Sequence, residues 1–393
     1  MTMRIVDVCA FYAPQGGGVK TYVERKLRAA VPGRQHVTVL APGEGDAVVT
    51  RFPGGEIRTM KAPLFPLDAR YRYFNDETAL HRMLDRLAPD LVEASSPWGS
   101  AAMVGRWSAP VPRALIMHAD PLAAYAYRWF GGIASRQAID RGFDWFWRHL
   151  RRLDARFDMV VSANARLTDR LRAGGLRHCH TIAMGVEPGL FSPLRRDEAL
   201  RTRLLRRCGL SPDAMLLVAL GRHSSEKRWP MVFDAVRAAG YDRPVGLVLF
   251  GDGREQGKVV RSAAGNPHIH LAAPVTDRPA LAAILASADA LVHGCEAETF
   301  CMVAAEAKAS GLPVIVPDEG GAGDQFRPGL DERYTATSGA ALADAIRRLI
   351  DRQGPALRDA TVRAAADVPG MDAHFDRLFA LYAAQAGEVA HAA

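Results

Sequence analysis

The stretch that most constrains this chain runs from Asp289 to Asp324, DALVHGCEAETFCMVAAEAKASGLPVIVPDEGGAGD. Ala290-Leu291-Val292 is a short apolar run suited to a parallel strand buried on both faces. Thr299 to Met302 turns the chain into a helix that carries Glu306. Gly311 ends that helix, and Pro313 prevents its continuation before the strand Val314-Ile315-Val316. Glu298 and Glu306 therefore lie near one helix N-terminus, at the carboxyl end of a strand, where open α/β sheets bind ligands. The free N–H groups and the helix dipole attract an anion such as a phosphate. Two carboxylates beside them would repel that anion, so they suit neutral hydroxyls. The stretch implies a site for a sugar-like group joined to phosphate.

The remainder of the chain extends the pattern. Arg4 to Phe11 reads as a strand, Pro14 to Gly18 as a glycine loop, and Val19 to Ala30 as a helix, together an anion-cradling turn. Further strands are expected at His36–Ala41, Asp90–Ala94, Arg113–His118, Asp158–Ser162, Met215–Leu220 and Val245–Phe250, with helical patterns between them. This alternation predicts doubly wound parallel sheets. His118 and Asp120 close one strand at its carboxyl end. After the strand Met215–Leu220 comes Gly221-Arg222-His223-Ser224-Ser225-Glu226-Lys227-Arg228, where Arg222 and Lys227 can face one diphosphate with fixed positive charge.

The 393 residues suffice for two domains, and the 49% hydrophobic content gives each a core. The net charge of +7 is unevenly spread. From Tyr125 to Arg207 there are 17 Arg and 8 acidic residues, an excess of nine. Such a cluster favours an anionic partner. Within it Ser135–Phe157 is expected to be one long helix, because Ile139, Phe143, Phe146, Leu150, Leu153 and Phe157 form a continuous apolar stripe. Trp129, Phe130, Trp145 and Trp147 fall outside the stripe, among Arg128, Arg141, Arg148, Arg151, Arg152 and Arg156. Aromatic rings with arginines suit an anionic membrane interface; a solvated helix is the alternative. No RNA-binding module signature accompanies them, so nucleic acid is not expected. The five cysteines, Cys9, Cys179, Cys208, Cys295 and Cys301, lack C-x-x-C spacing, which predicts reduced thiols in a cytoplasmic protein. The chain opens on a strand with no signal peptide, and no apolar run is long enough to cross a membrane, so any membrane contact would be peripheral, on the inner face of the cytoplasmic membrane.

Glu298-Thr299-Phe300, then Glu306-Ala307, then Ser310-Gly311-Leu312-Pro313-Val314 resembles the Glu-x7-Glu signature of retaining glycosyltransferases of family 4, the group that includes bacterial lipid-directed α-mannosyltransferases. The glycine loop, His118, and Gly221-Arg222 with Glu226-Lys227 match the other motifs of that family in the same order along nearly the whole chain. Met184-Gly185-Val186-Glu187 departs from the Asn-Gly-Val-Asp common there. The resemblance implies a GT-B fold of two Rossmann-like domains facing a cleft. Residues 1–187 would bind the acceptor, 188–370 would bind the nucleotide sugar, and 371–393 would be a helix returning to the first domain.

The resemblance also assigns residues. Gly17 and Gly18 would approach the donor phosphate and sugar. His118 would contact the donor sugar, and Arg222 and Lys227 the diphosphate. The loop at Val275 would lie against the base. Thr299, Phe300, Cys301, Met302 and Val303 would supply the helix start, Glu298 would bind sugar hydroxyls, and Glu306 would bind ribose. His118, Arg222, Lys227 and Glu298 are the residues expected to serve catalysis. No Asp-x-Asp occurs in the sequence, so metal-independent transfer with no cofactor is expected. The donor expected first is GDP-mannose, since Glu226-Lys227, Thr276-Asp277-Arg278 and Ala286–Asp289 resemble lipid-directed mannosyltransferases. UDP-glucose and UDP-glucuronic acid stay open, as do a lipid-linked, glycan or small-molecule acceptor. An epimerase or phosphorylase of the same fold, and a non-catalytic sugar-nucleotide binder, are the alternative functions.

Overall fold

The computed structural model describes residues 2–12, 18–66, 71–120, 122–130, 133–241 and 243–392. They form two compact units. One comprises Met1–Asp120, Trp129–Ala183 and Met371–Ala393; the other comprises Pro121–Arg128 and Met184–Gly370. The segment Met184–Glu187 thus groups with the second unit.

The first unit is built on eight strands: β1 (Met3–Val8), β2 (Gln35–Gly43), β3 (Ala47–Phe52), β4 (Gly55–Lys61), β5 (Leu91–Ala94), β6 (Arg113–Met117), β7 (Met159–Ser162) and β8 (Cys179–Thr181). Their order is β3-β4-β2-β1-β5-β6-β7-β8. All pairs are parallel except the β3–β4 hairpin. The parallel strands are fully buried where they read as apolar runs, as in Ala114-Leu115-Ile116-Met117. The hairpin is absent from the sequence reading, although Pro53-Gly54-Gly55 is a turn signal. Gly55 is required there by close approach, since a Cβ would lie 1.9 Å from the Val37 carbonyl oxygen.

The helix expected over Ser135–Phe157 is two helices, Arg136–Gly142 and Asp144–Asp154. Phe143 leaves helical geometry between them, with φ −102° and ψ 22°, next to Gly142, a poor helix former. The stripe is otherwise as read: Ile139, Phe146, Leu150, Leu153 and Phe157 are buried. Trp147 corrects the reading. It is core, packed so tightly under Gly174 that a Cβ there would meet its ring at 2.1 Å, and its indole N–H donates to Asp140. Trp129 and Trp145 are 61% and 55% exposed.

The last helix, Met371–Ala392, packs on the first unit through Phe375, Leu378 and Tyr382, all fully buried. It also supplies two polar pins. The Tyr382 hydroxyl donates to Glu93 Oε2 at 2.6 Å, and His374 Nε2 meets the Tyr22 hydroxyl at 3.1 Å. Glu93 belongs to a fully buried group with Lys26, Asp7 and Ser95: Lys26 bonds both carboxylates and Ser95 donates to Asp7. Burial and the neighbouring Glu93 push the Asp7 carboxyl up to about 6. Burial opposes the charge on Lys26, but Asp7 and Glu93 outweigh it and hold the ammonium above its usual range.

The second unit carries β9 (Met215–Leu220), β10 (Val245–Phe250), β11 (Ile269–Ala272), β12 (Ala290–Val292), β13 (Val314–Pro317) and β14 (Glu332–Tyr334). All are parallel, in the order β11-β10-β9-β12-β13-β14. Alternate residues of β9 serve opposite faces, as period-two geometry requires. Leu216 and Val218 enter one core with Leu285 and Ala304, while Met215, Leu217 and Ala219 enter the other with Trp229 and Ile346. Each fully buried leucine contributes about 1.5–3 kcal/mol. The direction of chain progression reverses between β9 and β12. That is the topological switch point, the place at which open α/β sheets bind ligands.

The buried Lys26 group makes a testable claim. Lys26→Met strands two buried carboxylates and should cost about 3–5 kcal/mol. Tyr382→Phe removes one hydrogen bond and should cost about 1–3 kcal/mol. Urea midpoints should fall in that order, Lys26→Met below Tyr382→Phe below wild type.

Candidate functional site

The loops that leave β9 and β12 hold most of the residues the sequence singles out. After β9 the chain runs from Gly221 to Arg228, including a 3-10 turn at Ser225–Lys227. After β12 it runs from His293 to Cys301, where the helix Met302–Ala309 begins. The two loops are tied by two ion pairs. Lys227 Nζ binds Glu298 Oε1, and the Arg228 guanidinium grips both oxygens of Glu296, Nε at 2.9 Å. Arg228 has a left-handed backbone, φ 52°, at the start of the helix Trp229–Ala239. Cys301 is also left-handed, φ 64°. Two non-glycine residues in that region on adjacent loops mark stored strain of the kind found at functional sites.

A third loop closes beneath. Gly320 and Gly321 pass so near the β12 loop that a Cβ on either would collide with it, at 2.0 Å from Glu296 O and 2.4 Å from Thr299 C. The Gly321 amide donates to the Glu298 carbonyl at 2.6 Å. The backbone of Glu298 is thereby fixed while its side chain meets Lys227.

Charge in this site is strongly biased. Burial opposes ionisation of Glu298, but Lys227 and then His293 outweigh it and hold its carboxyl below the usual range. Burial likewise opposes the Lys227 charge, and Glu298 outweighs it, so the ammonium stays fixed well above its usual range. Arg222 differs. Its side chain is 76% exposed and lies 3.5 Å from Glu226. Its charge also lowers Glu298. One buried and one exposed cation thus share a loop at the switch point. His293 is 1% exposed, its Nε2 is 3.6 Å from Glu298 Oε1, and burial followed by Lys227 pushes its pKa down to about 3. Burial raises the Cys295 thiol to about 12, so it is not a nucleophile. Among the described residues, His293, Cys295 and Glu298 are the group whose metal-capable atoms converge, within 4.8 Å of one another. The ammonium already on Glu298 stands where a cation would share that carboxylate.

The remaining predicted residues divide. Thr299, Phe300, Met302 and Val303 line the turn into the helix as read, with the Phe300 carbonyl held by Gln325 Nε2 at 3.0 Å. Glu306, one turn further, is buried against Arg278, whose guanidinium donates at 2.7 Å. Burial keeps the Glu306 carboxyl above its usual range despite that pair. Arg278 also lies 3.7 Å from Glu187 and stacks on Phe191 at 4.9 Å. It opens the helix Arg278–Ser287 three residues after Val275, which is partly buried. Arg278 was read only as part of a resemblance, and its partnership with Glu306 and with the departing Glu187 carries no local sequence signal. His293 and Arg228 were not assigned to the site either; their only signal is their place at a strand end.

Gly18 and His118 belong to the first unit. Gly18 opens the helix Gly18–Ala29, and Gly17 lies outside the described residues. His118 follows β6 and packs edge-on against Tyr22, ring centroids 4.7 Å apart. Burial lowers its pKa to about 4, so at neutral pH it is a neutral imidazole suited to a hydroxyl rather than a phosphate. Asp120 pairs with Arg170 at 2.6 Å. All five cysteines are free and buried.

Residues 16–190 match the model of Glycosyltransferase Family 4, and residues 214–352 match that of Glycosyl transferases group 1. A GDP-mannose-dependent alpha-(1-6)-phosphatidylinositol dimannoside mannosyltransferase of Mycobacterium tuberculosis is 30% identical over 362 residues, 89% of this chain and 88% of that protein. The chain belongs to glycosyltransferase family 4. Another member, a GDP-mannose-dependent alpha-mannosyltransferase of Mycolicibacterium smegmatis, is 31% identical over 83% of this chain and 82% of its own length. Among solved structures, sucrose-phosphate synthase from Thermosynechococcus elongatus aligns with TM-score 0.74 at 20% identity, covering 97% of this chain and 98% of that one. Anabaena HepE, in complex with UDP and glucose, aligns with TM-score 0.69 at 17% identity over 97% and 100%. The family 4 protein has the GT-B fold and is an enzyme, a glycosyltransferase.

The neutral state of His118 sets a pH dependence. In the unfolded chain a histidine takes its proton near pH 6.5, whereas folded His118 takes it only near pH 4. Between those values the unfolded state binds more protons, so His118 withdraws stability as pH falls from 6.5 towards 4. His118→Gln should lose less stability than wild type between pH 7 and pH 5. Urea midpoints at the two pH values measure it, and equal losses would contradict the assignment.

Proposed function

We propose that this enzyme transfers mannose from GDP-mannose to a hydroxyl of a lipid-linked or glycan acceptor, with retention of the α configuration and without a metal ion. The observation that carries this reading is the pairing of Lys227 with Glu298 across the switch point, with Arg222 exposed on the same loop. A diphosphate needs fixed positive charge, and a sugar needs an acceptor for its hydroxyl hydrogens. The paired loops supply both side by side. Two family 4 relatives have GDP-mannose-dependent in their names, and one of them names a phosphatidylinositol dimannoside, which favours this donor over UDP-glucose or UDP-glucuronic acid.

As the bond from the sugar to the diphosphate breaks, negative charge grows on the leaving phosphate oxygens. Lys227, Arg222 and the N-terminus of the helix Met302–Ala309 stabilise it, the term that usually contributes most to such catalysis. Glu298 accepts hydrogen bonds from sugar hydroxyls, and Glu306, held by Arg278, from the ribose. The acceptor hydroxyl attacks on the face the diphosphate leaves, and its proton passes to the departing phosphate. The buried ammonium takes the part a divalent ion plays elsewhere.

For the acceptor side, the first unit carries an exposed apolar surface. Phe130, Phe143 and Trp145 lie ring to ring, 6.2 and 6.3 Å apart, beside Trp129 and the 85% exposed Ile133. Arg148 is 59% exposed at its edge. Among the described residues no helix is long and apolar enough to cross a membrane. We propose that this surface rests on the anionic inner face of the cytoplasmic membrane, where a lipid acceptor is presented.

Three outcomes are expected. With GDP-mannose and an acceptor lipid extract, Arg222→Ala or Lys227→Ala should lower turnover about 10²-fold or more; near-normal turnover in the double variant would remove the site assignment. Activity should survive EDTA, and a loss restored by Mg²⁺ or Mn²⁺ would show that a metal neutralises the leaving group. In flotation assays the protein should bind anionic but not neutral liposomes. Trp129→Ser with Trp145→Ser should abolish that binding while leaving the urea midpoint near wild type.

A further inference from the structure

His293 is the group at this site that nothing above employs. It follows β12 directly, its backbone carbonyl accepts from the Tyr334 hydroxyl at 2.8 Å, and its ring is 99% covered. Among the described residues its buried Nε2 has no hydrogen-bond partner, and it points to Glu298 Oε1 across 3.6 Å. A buried, unpaired polar atom costs about 1–3 kcal/mol, so a fold that keeps one beside a functional carboxylate has a use for it in another state. The present occupant of Glu298 is Lys227.

We propose that His293 is a positioning residue that takes over Glu298 when the donor arrives. This rests on the reading that Lys227 binds the donor diphosphate. As the ammonium turns to the phosphates it releases Glu298 Oε1. The carboxylate then closes the remaining gap to His293, whose Nε2–H donates to it. The neutral imidazole holds Glu298 in place without cancelling its charge, so both oxygens keep their strength as acceptors for sugar hydroxyls. A second lysine at this position would instead neutralise the carboxylate and compete with the diphosphate for Lys227's role. The hand-over couples the two halves of the donor: diphosphate binding frees the carboxylate, and His293 aims it at the sugar.

Two measurements test this. Calorimetry with GDP and GDP-mannose on wild type, His293→Leu and His293→Gln separates the sugar contact from the diphosphate contact. His293→Leu should weaken GDP-mannose about tenfold and leave GDP unchanged. His293→Gln, which keeps an N–H near the Nε2 position, should recover most of that loss. Equal weakening of both ligands, or of neither, would overturn the proposal. The second readout needs no ligand. In Lys227→Met both the loss of the ammonium's repulsion and the contact with Glu298 raise the imidazole's titration above wild type in NMR, and Lys227→Met with Glu298→Gln separates them: the contact is the part of the rise that the double variant loses. An unchanged titration in Lys227→Met, or a rise that the double variant keeps in full, would overturn the hand-over. If wild type binds neither nucleotide, the donor reading fails by itself, and the NMR titration still decides the role of His293.

Discussion

The second unit turns on one ion pair formed where solvent only partly reaches. Lys227 and Glu298 have side chains 13% and 28% exposed. Removing two charges from water costs several kcal/mol each, and their attraction recovers this only with good geometry. A pair with that balance is poised rather than merely stabilising. It holds the β9 and β12 loops together, and in the proposed donor complex a diphosphate would offer the ammonium a doubly charged alternative. Arg228–Glu296 beside it, together with the Gly320–Gly321 approach, ties the same loops independently of that pair.

The first unit uses burial differently. Lys26 satisfies two carboxylates at once with full exclusion of water, and Tyr382 and Ser95 complete the group. No ligand is required to satisfy it. Its consequence is structural: a helix from the far end of the chain is pinned to β5, and through Tyr22 and His374 the same helix braces the ring that packs on His118. The network lies beneath a candidate site residue without entering its chemistry.

Much of this was legible because it is local. Ala290–Val292, the turn at Gly311-Leu312-Pro313 and the Glu298/Glu306 spacing are encoded within some twenty residues, and the parallel strands announce themselves as apolar runs that two-faced burial demands. What escaped is what depends on distant pairing. Lys227 and Glu298 are 71 positions apart, so the sequence marks both without showing that they neutralise each other. Arg278 meets Glu306 across 28 positions, and nothing near either forecasts it. Trp147 looks like Trp145 on an arginine-rich helix, and only Gly174, which leaves room for its ring, decides that one is core and the other exposed. The break at Phe143 was masked by a stripe whose spacing continues through it. Membership of glycosyltransferase family 4 was readable from ordered motifs, while the approach of His293 to Glu298 appears only in the folded chain.

The central claim is that the buried ammonium of Lys227 exchanges Glu298 for a nucleoside diphosphate. Thermal unfolding with and without GDP tests it most directly, since a ligand present at 100 times its Kd adds about 2.7 kcal/mol to the state that binds it. The account predicts a clear rise in Tm for wild type with GDP, a smaller rise with UDP or ADP, and loss of the GDP response in Lys227→Met. A Lys227→Met protein that GDP stabilises as strongly as wild type would contradict it.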